Sequence, residues 1–291
     1  MSAPRQFAFQ HGGLERAEHL REDAAALAGL WPRARLMLVD EEGLAVFDGE
    51  PDAPEFVAVG DRDPMEQASF LGIEVEGGRP WFALPLAAFD DTPPQRLDLR
   101  NAAARWPALV ASVFAQARAL LHWQARSRFC GVCGQRNVFV RGGFAAQCPG
   151  CGGERYPRTD PAIIVAVSDG ERLLLGRQAS WPEKRYSVLA GFLEPGESLE
   201  QAVAREVMEE AGVRIESCEY LASQPWPFPA SLMLGFRAIA RPQAIQLGDE
   251  LEDARWFSAD EIRSRISDGA LQISPRLSIS RWLIEDWLAS R

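Results

Sequence analysis

Glu206, Glu209 and Glu210 stand at i, i+3 and i+4, a spacing that gathers three carboxylates on one face of a helix. Adjacent carboxylates repel one another, so a plain surface helix gains nothing from the arrangement. Divalent cations held among them reverse the sign. Hard oxygen ligands favour Mg2+ or Mn2+, ions that bind phosphate oxygens and activate water. The chemistry implied is attack of water on a phosphorus atom of a diphosphate; the plainer alternative is a solvated charged face. Around the triplet the sequence predicts a helix over about 199–211, with Ala202, Val203 and Val207 packing its far side and Gly212 ending it. Gly191 and Gly196 let the loop before it turn tightly, and Arg205 can pair with Glu197 to brace that loop.

A second constellation is made of sulfur. Cys130-Gly131-Val132-Cys133 and Cys148-Pro149-Gly150-Cys151 are separated by 14 residues. Two such knuckles bring four thiolates to one tetrahedral ion, and the opening residues hold no apolar signal-peptide core that would favour disulfides. Soft ligands in a closed set point to one structural Zn2+ per chain, with an iron centre as the rival. Cys218 stands alone and reads as a buried filler.

The elements that must position these groups fall into three regions: an α+β region over 1–126, the cysteine region over 127–158, and a third over 159–291. In the first, short β-like runs at 35–39, 44–47 and 56–59 precede one helix over about 102–123. That helix is drawn from the recurrence of Trp106, Leu109, Val110, Val113, Ala117, Leu120 and Leu121. No chemistry announces itself there, which leaves scaffolding or a dimer contact. The third region opens with a hairpin, 163–167 and 172–175 around the turn 168–171, followed by a strand at 187–190 and the carboxylate helix. Strands at 217–221, 232–240 and 254–257 and helices near 259–266 and 276–289 complete it. Strands interrupted by single helices imply an α/β sandwich, a mixed sheet between helices.

At 291 residues and 47% hydrophobic content the chain can bury more than one core. No apolar run approaches the roughly 18 residues of a membrane span, so a soluble, cytoplasmic protein is expected. A net charge of -10 disfavours a broad grip on nucleic acid. Yet Arg100, Arg105, Arg118, Arg126, Arg128, Arg136, Arg141, Arg155 and Arg158 face only Glu154 within their stretch. Such a segment suits a polyphosphate or an RNA end, or is simply a solvated face.

The carboxylates sit inside a longer pattern, Gly191-x5-Glu197-x7-Arg205-Glu206-Val207-x-Glu209-Glu210-x-Gly212-Val213, which resembles the Nudix box without a departure. The resemblance implies a Nudix α/β/α sandwich, with Glu206 and Glu210 as principal metal ligands and Glu209 assisting. It leaves the general base open between Glu209 and Glu210. The stretch Ser223-Gln224-Pro225-Trp226-Pro227-Phe228-Pro229-Ala230-Ser231 reads on its own either as a pocket wall or as a stiff loop with core aromatics. Downstream of a Nudix box, and with a four-cysteine zinc ribbon upstream, it resembles the signature of the NADH pyrophosphatase subfamily.

That resemblance implies cleavage of NADH or NAD+ to nicotinamide mononucleotide and AMP, and removal of NAD caps from RNA. It implies a homodimer in which Phe192 and Tyr156 sandwich the nicotinamide, one of the two rings being supplied across the dimer. Residues 224–231 would line the substrate site, Glu250 and the Ala190 carbonyl would complete the metal site, and the first region would be Nudix-like. Ser280, where the subfamily often has alanine, and Arg100, as a phosphate contact, are further substrate candidates. The competing readings are a hydrolase of another nucleoside diphosphate such as ADP-ribose, and a nucleotide-binding regulator without catalysis. The full set of box carboxylates argues against the last.

Overall fold

The computed structural model describes residues 7–10, 12–59, 65–89 and 92–291. The chain separates into two compact units. One comprises Ala8–Thr159 with Pro227–Ala230; the other comprises Asp160–Trp226 and Ser231–Arg291, joined by Phe7.

The first unit is built on β1 (Leu14–Glu15), α1 (Ala24–Leu30), β2 (Arg35–Val39), β3 (Ala45–Glu50), β4 (Ala53–Glu55), β5 (Ser69–Glu74), β6 (Pro80–Pro85), β7 (Gln95–Leu97), α2 (Leu99–Arg105) and α3 (Ala108–Arg126). Its strands run in the order β1-β5-β6-β2-β3-β4, with β7 on β3 and with β2 parallel to β6. Alternation along β2 demands a layer on each face. Leu36 and Leu38 pack with Leu27 and Leu30 of α1, whereas Met37 and Val39 pack with Val113, Phe114 and Ala117 of α3.

Two expectations fail here. The single helix over 102–123 is two helices, broken at Trp106-Pro107, where Trp106 is extended (φ -88°, ψ 158°). Pro107 supplies no backbone N–H to continue the first helix, and a residue before proline avoids the helical region. Trp106 matches the helical spacing for another reason. It is a core residue edge-on to Phe47 and Phe56, with its Nε1 donating to the Pro51 carbonyl at 3.0 Å. The run at 56–59 is not a strand: its backbone meets the sheet at the Ala58–Arg35 bridge, and Phe56 packs edge-on against Trp81.

The cysteine region forms a small antiparallel sheet, β8 (Val138–Val140), β9 (Ala145–Gln147) and β10 (Glu154–Arg155), in the order β10-β9-β8. It falls within the first of the two compact units. Gln124 of α3 donates to both Ser69 Oγ and the Gly143 carbonyl at 2.8 Å.

The second unit contains β11 (Asp160–Ser168), β12 (Arg172–Arg177), β13 (Leu189–Phe192), α4 (Leu199–Ala211), β14 (Ile215–Trp226), β15 (Ser231–Ala240), β16 (Asp253–Ser258), α5 (Ala259–Ser267) and α6 (Ile279–Ala289). The sheet order is β14-β15-β11-β12-β16, with β13 also on β11 and with β11 parallel to β15. Ile163, Val165 and Val167 pack with Ala202, Val203 and Val207 of α4. Ile164 and Ala166 pack with Ile262 of α5 and with Ile279, Leu283 and Trp287 of α6. The expected α/β/α sandwich with a mixed sheet is present. Among the described residues no helix is long and apolar enough to cross a membrane.

Candidate active site

The carboxylate helix is fixed at both ends. Ser198 and Gln201 form a reciprocal capping box: Gln201 N donates to Ser198 Oγ and Ser198 N to Gln201 Oε1. Gly212, left-handed at φ 64°, closes the other end. A following segment satisfies the last carbonyls, Gln246 N donating to Ala211 O at 2.8 Å and Gly248 N to Glu210 O at 3.1 Å. A Cβ on Gly248 would fall 2.0 Å from the Glu209 carbonyl, so only glycine permits this cap. The same segment leads directly into Glu250.

Ala202, Val203 and Val207 are fully buried, but they do not lie opposite the carboxylates as expected: Glu206 and Glu210 share their buried face, and of the three only Glu209 is left outside. Their exposures differ. Glu209 is exposed, whereas Glu206 and Glu210 are 8% and 4% accessible. Burial, then Glu206 and Glu250, push the Glu210 carboxyl up to about 8, and burial raises that of Glu206. Glu210 Oε2 is buried without a hydrogen-bond partner. An uncompensated buried carboxylate among like charges is unfavourable, and a divalent cation supplies what the site lacks. Buried hard oxygen donors of this kind suit a divalent cation.

Arg205 organises the approach to this cluster. Its Nε and Nη2 grip Glu197 at 2.6 and 2.9 Å, Nη2 also donates to the Phe192 carbonyl at 2.8 Å, and Nη1 reaches Glu206 at 2.9 Å and Glu209 at 3.1 Å. Arg205 first, then the Glu194 amide, hold the Glu197 carboxyl at about 2. Glu197 thus stays ionised and braces the loop, as its pairing with Arg205 led us to expect. Gly191 has a different role from the expected turn. It lies in β13 opposite Ile163, and a Cβ there would sit 1.9 to 2.1 Å from the Glu206 carboxylate. The missing side chain is the space Glu206 occupies.

The remaining candidates divide. Ala190 precedes Gly191 in β13, opposite Ile164. Phe192 and Tyr156 present exposed rings, 59% and 51% accessible, each in its own unit. The stretch from Ser223 to Trp226 is the end of β14, paired with β15, and residues 227–230 form the turn before Ser231 opens β15. Pro225 and Pro229 are exposed, Trp226 and Ala230 half-buried, and Pro227 and Ser231 buried. Gln224 is wholly buried, its amide donating to Leu277 O at 2.7 Å and accepting from Ile279 N at 2.8 Å. Ser280 is also buried, bonded to Ser187 Oγ at 2.7 Å and Ser274 Oγ at 3.2 Å. Both hold the start of α6. Phe228 lies among the first unit's core residues, and Arg100, exposed on α2, places its guanidinium 4.1 Å from that ring's centre. Sequence reasoning missed the role of Gly248, whose signal exists only once the tertiary contact is known.

The four cysteines of the knuckles converge, every sulfur within 4.8 Å of the others. Amides of Cys133 and Val132 pull the Cys130 thiol down to about 6, as suits a metal-bound thiolate. Cys130 and Cys148 are buried, Cys133 and Cys151 exposed, and among the described residues no fifth ligand is gathered with them. Tetrahedral sulfur of this kind is a structural zinc site. Cys218, half-buried, stands apart.

Comparison with known proteins places these features in one lineage. Residues 157–277 match the NUDIX domain, 125–156 the NADH pyrophosphatase zinc ribbon domain, and 17–123 the NADH pyrophosphatase-like rudimentary NUDIX domain. The chain is 40% identical over 293 residues to the NAD-capped RNA hydrolase NudC of Mycobacterium bovis, covering 95% of this chain and 93% of that protein. It is 40% identical over 261 residues to its counterpart from Stutzerimonas stutzeri, covering 89% and 81%. An intact Nudix box, a four-cysteine ribbon and end-to-end similarity lead to one conclusion: the chain belongs to the NADH pyrophosphatase family of Nudix hydrolases.

Proposed function

We propose that this protein hydrolyses the central diphosphate of NADH and NAD+, releasing nicotinamide mononucleotide and AMP, and removes NAD caps from RNA 5′ ends. The observation that carries the reading is the buried cluster of Glu206 and Glu210, with the unpartnered Glu210 Oε2 and Glu250 nearby, in a chain similar end to end to NAD-capped RNA hydrolases. Mg2+ or Mn2+ bound there supplies positive charge to the diphosphate oxygens and lowers the pKa of water. The protein's own groups do the rest. Arg205 keeps Glu206 and Glu209 aligned, and Glu197 keeps Arg205 in place. Glu209 or Glu210 takes the proton from the attacking water as one phosphorus–oxygen bond of the anhydride breaks.

For the substrate, Phe192 and Tyr156 stack the nicotinamide, one ring supplied across a homodimer, both rings being exposed and ready to stack. Residues 225–231 line the site, and Arg100 contacts phosphate. Gln224 and Ser280 act by holding the backbone around them. The protein works in the cytoplasm. The run of nine arginines from Arg100 to Arg158 against one glutamate favours an RNA-linked substrate beside the free dinucleotide.

A chromatographic product assay with Mg2+ or Mn2+ tests this on NADH, NAD+, ADP-ribose and NAD-capped RNA. Mononucleotide and AMP from NADH, lost in Glu210→Gln, are the expected result. Cleavage of ADP-ribose with NADH intact would remove the nicotinamide roles of Phe192 and Tyr156. Cleavage of NADH without decapping would remove the RNA substrate.

A further inference from the structure

The turn Pro227–Ala230 belongs to the first unit although the strands on either side of it belong to the second. Its Phe228 packs on the core of that unit, 6.3 Å from the Phe9 ring centre. Three prolines, Pro225, Pro227 and Pro229, remove every second amide donor from the segment, which leaves carbonyl oxygens as prominent handles by which it can be held. One side chain takes such a handle. Arg118 Nη1 donates to the Pro227 carbonyl, its Nε donates to the Gly43 carbonyl at 3.1 Å, and its guanidinium lies 5.3 Å from the centre of the Phe228 ring.

The surroundings are shaped for this arginine. Arg118 projects from α3 between the buried Ala117 and Leu120, on a helix fixed by the core. The β2–β3 turn presents Gly43, left-handed at φ 79°, and a Cβ there would come within 2.9 Å of Arg118 Nε. A planar fork that donates to two carbonyls while lying over an aromatic ring is arginine's geometry, which lysine cannot reproduce.

The geometry points to Arg118 as a positioning residue: by fixing the Pro227–Ala230 turn, it tunes the enzyme's affinity for its dinucleotide. This rests on the proposed reading that residues 225–231 line the substrate site. Arg118 touches none of the reacting atoms, so its loss is felt in KM more than in kcat.

The test uses full-length Arg118→Ala, Arg118→Lys and Trp226→Ala, with hydrogen exchange of the peptide 222–233 and steady-state kinetics on NADH. In Arg118→Ala we expect exchange at 222–233 to quicken about tenfold while α4 and α6 keep their protection, and KM to rise about tenfold with kcat within about twofold. Arg118→Lys, which keeps charge and stem, carries the same test if the alanine variant does not fold, and its KM rises too. Wild-type exchange and KM in the arginine variants, with a raised KM in Trp226→Ala, would overturn the positioning role alone. Unchanged KM in Trp226→Ala would bring down the substrate-lining reading, and the inference with it.

Discussion

The two mixed sheets of this protein are close in plan and opposite in use. Each has a parallel central pair, β2 with β6 and β11 with β15, and each is covered by helices on both faces. Between β12 and β15 the second unit inserts β13, α4 and β14, and these carry Gly191, Phe192 and the box glutamates. Between β3 and β6 the first unit has β4, β5 and, among the described residues, only the short turn of helix Met65–Gln67. The same kind of sheet without the carboxylate helix has a core rich in aromatic residues. The box glutamates are thus the property of one inserted segment, and the layers around it supply rigidity.

The strongest way to break that comparison is to neutralise the segment and leave the fold alone. Glu206→Gln should lower turnover of NADH about a thousandfold or more, since the buried charge is what would hold a divalent cation. The melting temperature in chelator should equal or exceed that of wild type, because one of two repelling buried carboxylates is gone. A variant that melts early would make Glu206 a structural residue.

Gly191→Ala sharpens the same point by backbone alone. The added methyl meets the Glu206 carboxylate at about 2 Å, so that carboxylate must swing out of the cluster. Turnover should drop about a hundredfold while circular dichroism stays that of the native fold. Full activity would show that Glu206 has freedom the packing denies.

How much of this was legible in the sequence follows the range of the interactions. The limits of α4, the hairpin of β11 and β12 and the cysteine cluster rest on local spacing, and the sequence analysis placed all of them. Trp106 imitated a helical position because periodicity counts apolar residues without knowing which neighbour they meet. Gln224 and Ser280 read as substrate contacts, and their hydrogen bonds to Leu277, Ile279, Ser187 and Ser274 could not be foreseen. Most of these partners lie far off in sequence. Gly191 was marked as a glycine that matters, but its reason, a carboxylate pressed against its α-carbon, is tertiary.

The ribbon provides an intermediate effect. Its strands are two or three residues long, and its buried hydrophobic residues are only Cys130, Ala145, Ala146 and Cys148. So small a core needs a metal to hold it. Cys130→Ser should release zinc, measured by a chromogenic chelator, and lower the melting temperature by about 5–10 °C. Retention of both zinc and melting temperature would mean the four sulfurs do not act as one site.

The smallest effect belongs to the first unit, and it separates the two regions most cleanly. Gly29 lies inside α1 with ordinary helical geometry, and a Cβ there meets nothing within 4 Å. Alanine at that position loses less conformational freedom on folding and introduces no clash, so Gly29→Ala should stabilise the protein by about 0.5–1 kcal/mol. In a unit of this size that is a rise of about 2–4 °C in its melting transition. Turnover and KM for NADH should not move, because α1 packs on the face of β2 opposite α3 and its Arg118. A glycine-to-alanine change that silences one sheet and strengthens the other would show that position in the fold, not residue type, decides the outcome. A loss of turnover in Gly29→Ala would instead show that α1 has a part in the chemistry.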